Sequence, residues 1–173
     1  MSKFVILEGP KYCGKTSVLN GLKSECNYKS FTIGSNVLTD ERSSDVAEFM
    51  IGAQISHACM FNLGLDIIMD RGWLSICFYH NYPVKNKYFD WWMDSLKKWD
   101  VFRLAIIMES DRTIEERKNI RKDCPKYYTD CYKQEEKDFF RYIIKNKIVP
   151  EDMLIVGNSD YIYKSIKDLQ EDE

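Results

Sequence analysis

With 173 residues, of which 45% are hydrophobic and 30% charged, the chain has the size and composition of a globular protein and not of a disordered or fibrous one. Its formal net charge of −2 excludes a global basic field that would attract nucleic acid, although a local basic patch stays open. The longest apolar runs are far shorter than the about 18 residues of a membrane span, and no signal peptide fits in front of the first predicted strand.

Predicted strands and helices alternate along the chain. In order they are strand 3–8, helix 15–24, strand Lys29–Ile33, helix Val46–Asn62, strand Leu65–Asp70, helix 73–81, helix Tyr88–Trp99, strand Arg103–Met108, helix Thr113–Lys122, helix Thr129–Lys145, strand Met153–Val156 and a C-terminal helix from Asp160. This alternation predicts an α/β fold, with a parallel sheet of about five strands and helices on both faces. No linker or repeat interrupts it, so we expect one domain over residues 1–173.

The cysteine content indicates free thiols and no zinc site. None of the six cysteines forms a C-x-x-C pair and the chain has only two histidines, so a zinc site is not expected. Free thiols are typical of a reducing compartment, and we therefore predict a cytoplasmic protein.

A glycine-rich stretch directly after the first predicted strand fits the phosphate-binding pattern G-x-x-x-x-G-K-[ST]. Residues 9–16 read G-P-K-Y-C-G-K-T, and a helical pattern follows them. Gly9 and Gly14 allow successive backbone N–H groups to converge on an anion, at which the next helix also directs its positive dipole end. Lys15 can reach the β- and γ-phosphates, and the Thr16 hydroxyl can bind Mg²⁺. The sequence therefore predicts nucleoside triphosphate binding.

Cys13, inside this loop, has two interpretations. Backbone N–H groups can lower the pKa of its thiol and give it a modest reactivity from which ATP would protect it. Alternatively, it is an inert small residue that fits the loop.

Asp70 and Arg71 stand where the predicted strand 65–70 ends. A carboxylate there can hold the water shell of Mg²⁺ opposite Thr16, and the guanidinium can bind an anionic or hydroxylated substrate. The alternative is a capping aspartate beside a surface arginine. Because the carboxyl ends of parallel strands meet at one rim, Gly9, Asp70 and Glu109 should lie together, which favours the functional interpretation.

Three arginines follow the predicted strand that ends at Met108. Arg117 and Arg121 are one helical turn apart and share a face with each other, whereas Arg112 lies earlier in the same helix. The pair can neutralise charge on a phosphoryl group during its transfer. The alternative is an exposed helix with i,i+4 ion pairs, as charge runs usually indicate.

Together these features resemble the thymidylate kinase and deoxynucleoside kinase families. The phosphate loop, the Asp-Arg pair and R-x-x-x-R occur there in this order, as do Leu7-Glu8-Gly9 and a D-R-x-x-x-S form similar to Asp70–Ser75. The likeness spans nearly the whole chain, which is shorter than typical members. It implies a P-loop NTPase three-layer sandwich with a lid segment over about residues 109–128. It also implies ATP- and Mg²⁺-dependent phosphoryl transfer to a deoxynucleoside or its monophosphate.

The resemblance further implies roles for individual residues. The catalytic residues would be Lys15, Asp70, Arg71, Arg117 and Arg121. The ATP site would comprise Gly9, Lys11, Tyr12, Cys13, Gly14, Lys15, Thr16, Ser17 and, bordering adenine, Asn158. The metal would be held by Thr16 and Asp70. The acceptor pocket would comprise Glu8, Arg71, Phe49 for stacking and Gln54 for a base edge.

Two departures from these families concern Lys11 and the acceptor pocket. Thymidylate kinases usually carry an acidic residue where Lys11 stands; the lysine either adds positive charge near the phosphates or points away from them. Their F-x-x-x-R pocket pattern is absent around residues 50–57. A glutamine at position 54 without an obvious second arginine favours a nucleoside acceptor, although Gln54 as a plain surface residue is an equal alternative.

Other functions and partners stay open at this point. A polynucleotide 5′-kinase uses similar parts but needs a basic groove, which the net charge does not suggest. A nucleotide-dependent switch that reads guanine should carry N-K-x-D, yet residues 146–149 lack the aspartate. We interpret Trp91, Trp92 and Trp99 as core or interface residues, which can support a homodimer, with a cofactor-binding cluster as the alternative.

Overall fold

The computed structural model describes residues 2–26, 28–32, 44–58, 64–120 and 129–171. Its elements are β1 (Lys3–Glu8), α1 (Lys15–Glu25), β2 (Lys29–Thr32), α2 (Ser44–Ala58), β3 (Ile67–Asp70), α3 (Trp73–Tyr79), α4 (Phe89–Leu96), β4 (Val101–Ile107), α5 (Asp111–Ile120), α6 (Asp130–Lys145), β5 (Leu154–Gly157) and α7 (Ser159–Glu171). The strands form one parallel sheet in the order β2-β3-β1-β4-β5. Across these ranges, no helix has the length and apolar character to cross a membrane.

The sheet is covered on both faces because alternate residues of its central strands enter two different cores. Phe4 and Ile6 of β1 pack with side chains of α2, α3, α4 and α6. Val5 and Leu7 of the same strand pack with side chains of α1 and α7. The result is the helix–sheet–helix sandwich that the alternating pattern predicted.

Strand register brings the predicted functional residues to one rim. Strand β1 lies in the middle, with Leu7 opposite Asp70 of β3 and Glu8 opposite Ile106 of β4. The chain therefore leaves these strands on the same side of the sheet. Gly9, Arg71 and Glu109 come next, which confirms the shared rim.

Several helix boundaries differ from the prediction. The helix predicted over 73–81 ends at Tyr79, and Asn81 has a left-handed φ of 51° that no continuing helix adopts. The helix predicted over Tyr88–Trp99 covers only Phe89–Leu96. Residues 33–43, 59–63 and 121–128 lie outside the described residues, and with them the end of the predicted helix 46–62 and most of the C-terminal half of the predicted lid.

The aromatic residues around α4 mostly belong to the core. Trp92 and Trp99 are each 4% exposed, and the ring of Trp92 stacks on Trp73 with 5.5 Å between centroids. Trp91 points outward and is 55% exposed. The core interpretation holds for two of the three tryptophans, and a dimer contact through Trp91 stays a prediction.

Candidate functional site

The phosphate-binding loop joins β1 to α1 and depends on its two glycines. Gly9 has a φ of 131° and Gly14 a φ of 101°, both in a region that side chains disfavour. A Cβ on Gly9 would lie 2.4 Å from the carbonyl oxygen of Ile107, and one on Gly14 would lie 2.7 Å from Nη1 of Arg117. The loop therefore packs directly against β4 on one side and against Arg117 on the other.

Lys15 is only 5% exposed, and its ammonium group lies against the loop. Its Nζ donates to the carbonyl oxygens of Gly9, at 2.6 Å, and Pro10, at 2.8 Å. Thr16 and Ser17 follow in the first turn of α1 with exposed side chains. One cation and two hydroxyl groups therefore stand at the helix end that favours anions.

Cys13 does not have the activated thiol that one of the two interpretations expected. Its side chain is fully buried, and this burial raises the pKa of the thiol, although the nearby Lys15 ammonium opposes the shift. Desolvation of the thiolate thus outweighs the cation and the loop. Of the two interpretations, the inert one fits the structure.

Asp70 and Arg71 leave β3 beside the loop. The N–H of Arg71 donates to the carbonyl oxygen of Leu7 at 2.9 Å, and Arg71 has a left-handed φ of 70°. Asp70 is 8% exposed, and its Oδ1 is buried without a hydrogen-bond partner among the described residues. A buried carboxylate oxygen without a donor is costly unless a ligand or ion completes it. This feature favours the functional interpretation of Asp70 over a capping role.

Glu8 holds the start of α3 against the end of β1. Its Oε1 accepts hydrogen bonds from the N–H groups of Gly72, Leu74 and Ser75 at 2.9–3.2 Å, and its Oε2 accepts from the Ser75 hydroxyl. Complete burial raises the pKa of Glu8, and the hydrogen bonds from Ser75 only partly oppose this. The carboxylate therefore fixes the segment that carries Arg71. Its predicted contact with substrate stays a prediction.

Two residues that the sequence analysis missed orient Arg71. Its Nη1 donates to the Tyr79 hydroxyl at 3.0 Å, and the guanidinium lies 5.2 Å from the centre of the Tyr79 ring. The Tyr79 hydroxyl in turn donates to Oε1 of Glu136 at 2.9 Å. Burial alone would lower the pKa of Arg71, but Tyr79, Glu136, Asp70 and Glu8 together raise it. Only the spacing of eight residues between Arg71, just before α3, and Tyr79, at the end of α3, could have signalled the first contact, and nothing local signals Glu136.

Arg117 reaches the phosphate loop from α5. Its Nη1 lies 3.4 Å from both the carbonyl oxygen of Tyr12 and Oε1 of Glu109, and its Nη2 donates to the Ser159 hydroxyl at 3.1 Å. Glu109 also accepts from the N–H of Ser159 at 2.9 Å. These contacts hold the guanidinium beside Gly14 of the phosphate loop, and its action on phosphates stays a prediction. Arg121, its predicted partner, lies outside the described residues.

Replacing Arg117 tests its predicted role. We expect Arg117→Ala to lower kcat about 10²- to 10³-fold, because removing one preorganised donor to transition-state charge costs about that much. Arg112→Ala is the matched control, since Arg112 lies on the same helix, is 89% exposed and pairs only with Glu116 in the part of the chain described. Steady-state kinetics with ATP as the varied substrate will measure both. Equal effects of the two substitutions would contradict a role at the phosphates.

The other residues of the predicted ATP site are Lys11, Tyr12 and Asn158. The Lys11 ammonium lies 5.5 Å from the centre of the Tyr12 ring, while the Lys11 N–H donates to Oε2 of Glu136 at 2.8 Å. Tyr12 itself is buried and packs on Ile114. Asn158 directly precedes α7, and its Oδ1 accepts from the N–H of Tyr161 at 2.8 Å. Its place beside adenine stays a prediction.

The two predicted acceptor residues of α2 do not share a face. Phe49 is 78% exposed, whereas Gln54 is 2% exposed. Five residues along an α-helix turn through a net angle of about 140°, which explains the separation. Both amide atoms of Gln54 lack hydrogen-bond partners among the described residues. Its position therefore contradicts the surface alternative for Gln54, and the exposure of Phe49 gives no support to stacking within the same pocket.

The side chains present fit a magnesium ion held together with nucleotide phosphates. Within the described ranges no group of three or more His, Cys, Asp or Glu side chains could form a metal cage. Mg²⁺ does not need one, because it commonly takes one or two protein oxygens and completes its shell with phosphates and water. The buried Oδ1 of Asp70 and the exposed Thr16 hydroxyl are donors of the required kind.

Solved structures provide the comparison, since the sequence matches no protein-family profile and no curated protein. The YorR protein of Bacillus subtilis, in complex with phosphorylated GDP, has a TM-score of 0.70 at 20% identity and covers 97% of this chain and 95% of that one. Thymidylate kinase from Candida albicans has a TM-score of 0.66 at 15% identity, covering 98% and 91%. Deoxyadenosine kinase from M. mycoides with bound dATP has a TM-score of 0.63 at 14% identity, covering 98% and 97%.

Sequence identities this low show a shared fold but not a shared substrate. A gluconokinase is also among the similar structures. The resemblance noted in the sequence is confirmed at the level of the fold: this chain has the α/β P-loop NTPase fold, and a thymidylate kinase and a deoxyadenosine kinase are among its structural neighbours.

Proposed function

We propose that the chain transfers the γ-phosphoryl group of ATP to a deoxynucleoside or a deoxynucleoside monophosphate, with Mg²⁺ as cofactor. The observation that carries the proposal is the meeting, at one rim, of the phosphate loop with Lys15, Arg71 and Arg117 and with a carboxylate oxygen of Asp70 that has no hydrogen-bond partner among the described residues. The kinase neighbours support phosphoryl transfer as the reaction type.

Each side chain has a distinct task in this proposal. Lys15 and Arg117 contact the loop at different points, so they neutralise charge on different phosphate oxygens. Thr16 and Asp70 would hold the magnesium ion, which when bound reduces the charge on the β- and γ-phosphates. Arg71, fixed by Tyr79, orients the acceptor. Catalysis then consists of positioning and charge neutralisation by groups already in place.

The charges around Arg71 favour a nucleoside acceptor over a monophosphate. The guanidinium shares its surroundings with the carboxylates of Glu136, Asp70 and Glu8, which already compensate its charge. A phosphate dianion would gain less from such an arginine than from an uncompensated one. A neutral 5′-hydroxyl group meets no such repulsion and can still accept a hydrogen bond from the guanidinium.

Gln54 is the residue that we propose reads the acceptor base. Its amide has one donor and one acceptor end, which matches the paired donor and acceptor on the edge of a nucleobase. Because the amide is buried and unpartnered among the described residues, the free protein bears its desolvation cost. A base that pairs with the amide would remove this cost.

Gln54→Met therefore has two expected effects of opposite sign. The substitution keeps the length of the side chain and removes a buried polar group, so it should stabilise the free protein by about 1–3 kcal/mol. It should also lower kcat/KM for the acceptor about tenfold or more, since one good hydrogen-bonding pair contributes about 1–3 kcal/mol of discrimination.

Thermal unfolding followed by circular dichroism and acceptor kinetics test the two effects. Gln134→Met is the control, because Gln134 is exposed on α6 and bonds only to Asp138 in the part of the chain described. It should change neither quantity appreciably. A lowered Tm for Gln54→Met with unchanged kinetics would show that Gln54 is a structural residue.

An acceptor screen tests the proposed function itself. ATP and Mg²⁺ are incubated with deoxynucleosides, their 5′-monophosphates, a 5′-hydroxyl oligonucleotide and gluconate, and products are identified by mass spectrometry. We expect a deoxynucleoside to be phosphorylated most efficiently. Transfer only to the oligonucleotide, with strong salt dependence, would favour a polynucleotide kinase. Slow ATP hydrolysis without transfer to any acceptor would favour a nucleotide-dependent switch.

Three broader expectations remain predictions: one domain over residues 1–173, a cytoplasmic location and a homodimer. Among the described residues, the thiols of Cys13, Cys77 and Cys131 are free, which agrees with a reducing compartment. Trp91 and Phe49 are exposed aromatic residues on α4 and α2, two helices in contact with each other, and they offer the dimer an apolar surface.

A further inference from the structure

A buried carboxylate on α6 joins the two halves of the site. Glu136 is 0% exposed, and each of its oxygens accepts a hydrogen bond from a different part of the fold. Oε2 accepts from the backbone N–H of Lys11 in the phosphate loop at 2.8 Å, and Oε1 accepts from the Tyr79 hydroxyl on α3 at 2.9 Å. Tyr79 in turn accepts from Nη1 of Arg71 at 3.0 Å. A continuous chain of contacts thus runs from the loop to the arginine.

We propose that Glu136 is a positioning residue that sets the phosphate loop and Arg71 at a fixed distance from each other. The role rests on the proposed function, in which the loop holds the donor and Arg71 the acceptor. Glu136 itself touches neither substrate, because it is fully enclosed. It acts through the Lys11 N–H and through the Tyr79 hydroxyl. Small errors in the separation of donor and acceptor are costly for transfer, so a rigid connection between their two sites has a direct catalytic use.

The chemistry of the two contacts requires a carboxylate. Lys11 presents a backbone N–H, which only donates, and the Tyr79 hydroxyl accepts from Arg71 and therefore directs its own hydrogen at Glu136. Both neighbours need an acceptor at position 136. A carboxylate has two acceptor oxygens, whereas the amide of glutamine has only one. Glutamine at this position leaves one of the two neighbours without its acceptor.

The surroundings of Glu136 hold it in place. It lies on the 16-residue helix α6, one residue before Lys137, which is 3% exposed and forms an ion pair with Asp111 at the start of α5. Tyr79 of α3 is 7% exposed and stacks on Tyr132 of α6, with 6.3 Å between ring centroids. Burial raises the pKa of Tyr79 well above its usual value, so its hydroxyl keeps the proton that it donates.

A double-mutant cycle of Glu136→Gln and Tyr79→Phe tests the proposal in the full chain. In the wild-type background, Glu136→Gln should lower kcat/KM for the acceptor about tenfold, because Lys11 and Tyr79 then compete for one oxygen. Tyr79→Phe removes the hydroxyl, and the single oxygen of glutamine can then serve Lys11. In that background, Glu136→Gln should change kcat/KM less than twofold, which is the non-additivity expected for residues in one network.

Glu135→Gln is the matched control. Glu135 precedes Glu136 on α6, is exposed and accepts a hydrogen bond from the Cys131 thiol. Its substitution should change kcat/KM less than twofold in both backgrounds. Circular dichroism and active-site titration with a fluorescent ATP analogue give the folded fraction of every variant, so that kinetic constants refer to folded protein only.

The outcomes separate this inference from the proposed function. Losses from Glu136→Gln that are equal in the two backgrounds, or that vanish once corrected for folded protein, overturn the positioning role while the kinase activity stands. A wild-type protein that phosphorylates no acceptor overturns the proposed function. In that case the affinity of the same four proteins for the fluorescent ATP analogue is measured instead of kcat/KM. Additive effects of Glu136→Gln and Tyr79→Phe on this affinity would overturn the connection through Glu136.

Discussion

Lys15→Ala should lower kcat for phosphoryl transfer at least about 10²- to 10³-fold, the cost of removing one preorganised group that stabilises transition-state charge. The Lys15 ammonium donates to the loop carbonyls of Gly9 and Pro10, and Lys15 lies at the N-terminal end of α1. Its ammonium is therefore already in place when the phosphates arrive. Because a water-excluded site strengthens such an interaction, an exposed lysine elsewhere cannot replace it.

Single-turnover kinetics with ATP and the preferred acceptor will measure this loss. Lys23→Ala is the matched control, since Lys23 lies in the last turn of the same helix with an exposed side chain. It should retain wild-type activity. If Lys15→Ala transfers phosphoryl groups at more than a tenth of the wild-type rate, the loop does not act on the reacting phosphates and the proposed mechanism fails.

Gly9→Ala has the second largest expected effect, and it acts through the backbone. At a φ of 131° an alanine is strained by about 1–3 kcal/mol, and its Cβ would also lie 2.4 Å from the carbonyl oxygen of Ile107. The neighbouring atom belongs to the backbone of β4, which cannot move aside without disturbing the sheet. We therefore expect a Tm lowered by several degrees and a loop displaced enough to lose ATP binding.

Gly64→Ala separates strain from collision. Gly64 also has a positive φ, of 62°, but a Cβ there would meet no atom of the described residues within 4 Å. Gly64→Ala should lower the free energy of unfolding only by the backbone strain, about 1–2 kcal/mol, and should leave the affinity for ATP unchanged. Thermal unfolding and titration with a fluorescent ATP analogue measure both variants. An ATP affinity for Gly9→Ala equal to that for Gly64→Ala would show that the loop tolerates a side chain at position 9.

The sequence by itself determined the parts of this protein that depend on consecutive residues. Eight positions from Gly9 to Thr16 predicted the phosphate loop because the motif needs only a strand, a turn with two glycines and a helix in that order. Alternating strands and helices predicted the parallel sheet, and strand ends predicted that Asp70 and Gly9 share a rim. Local patterns carry this information because each of these features is built from neighbours in the chain.

Only the tertiary structure decided which distant side chains meet. Glu136 lies 125 positions from Lys11 and 57 from Tyr79, and no periodicity in the sequence connects them. Burial, too, is a property of the whole fold: it raised the pKa of the Cys13 thiol where its loop neighbours suggested the opposite. It also enclosed Gln54 and exposed Phe49, although both are on one helix. Desolvation and long-range contact depend on how helices pack on the sheet, and a linear pattern does not contain that packing.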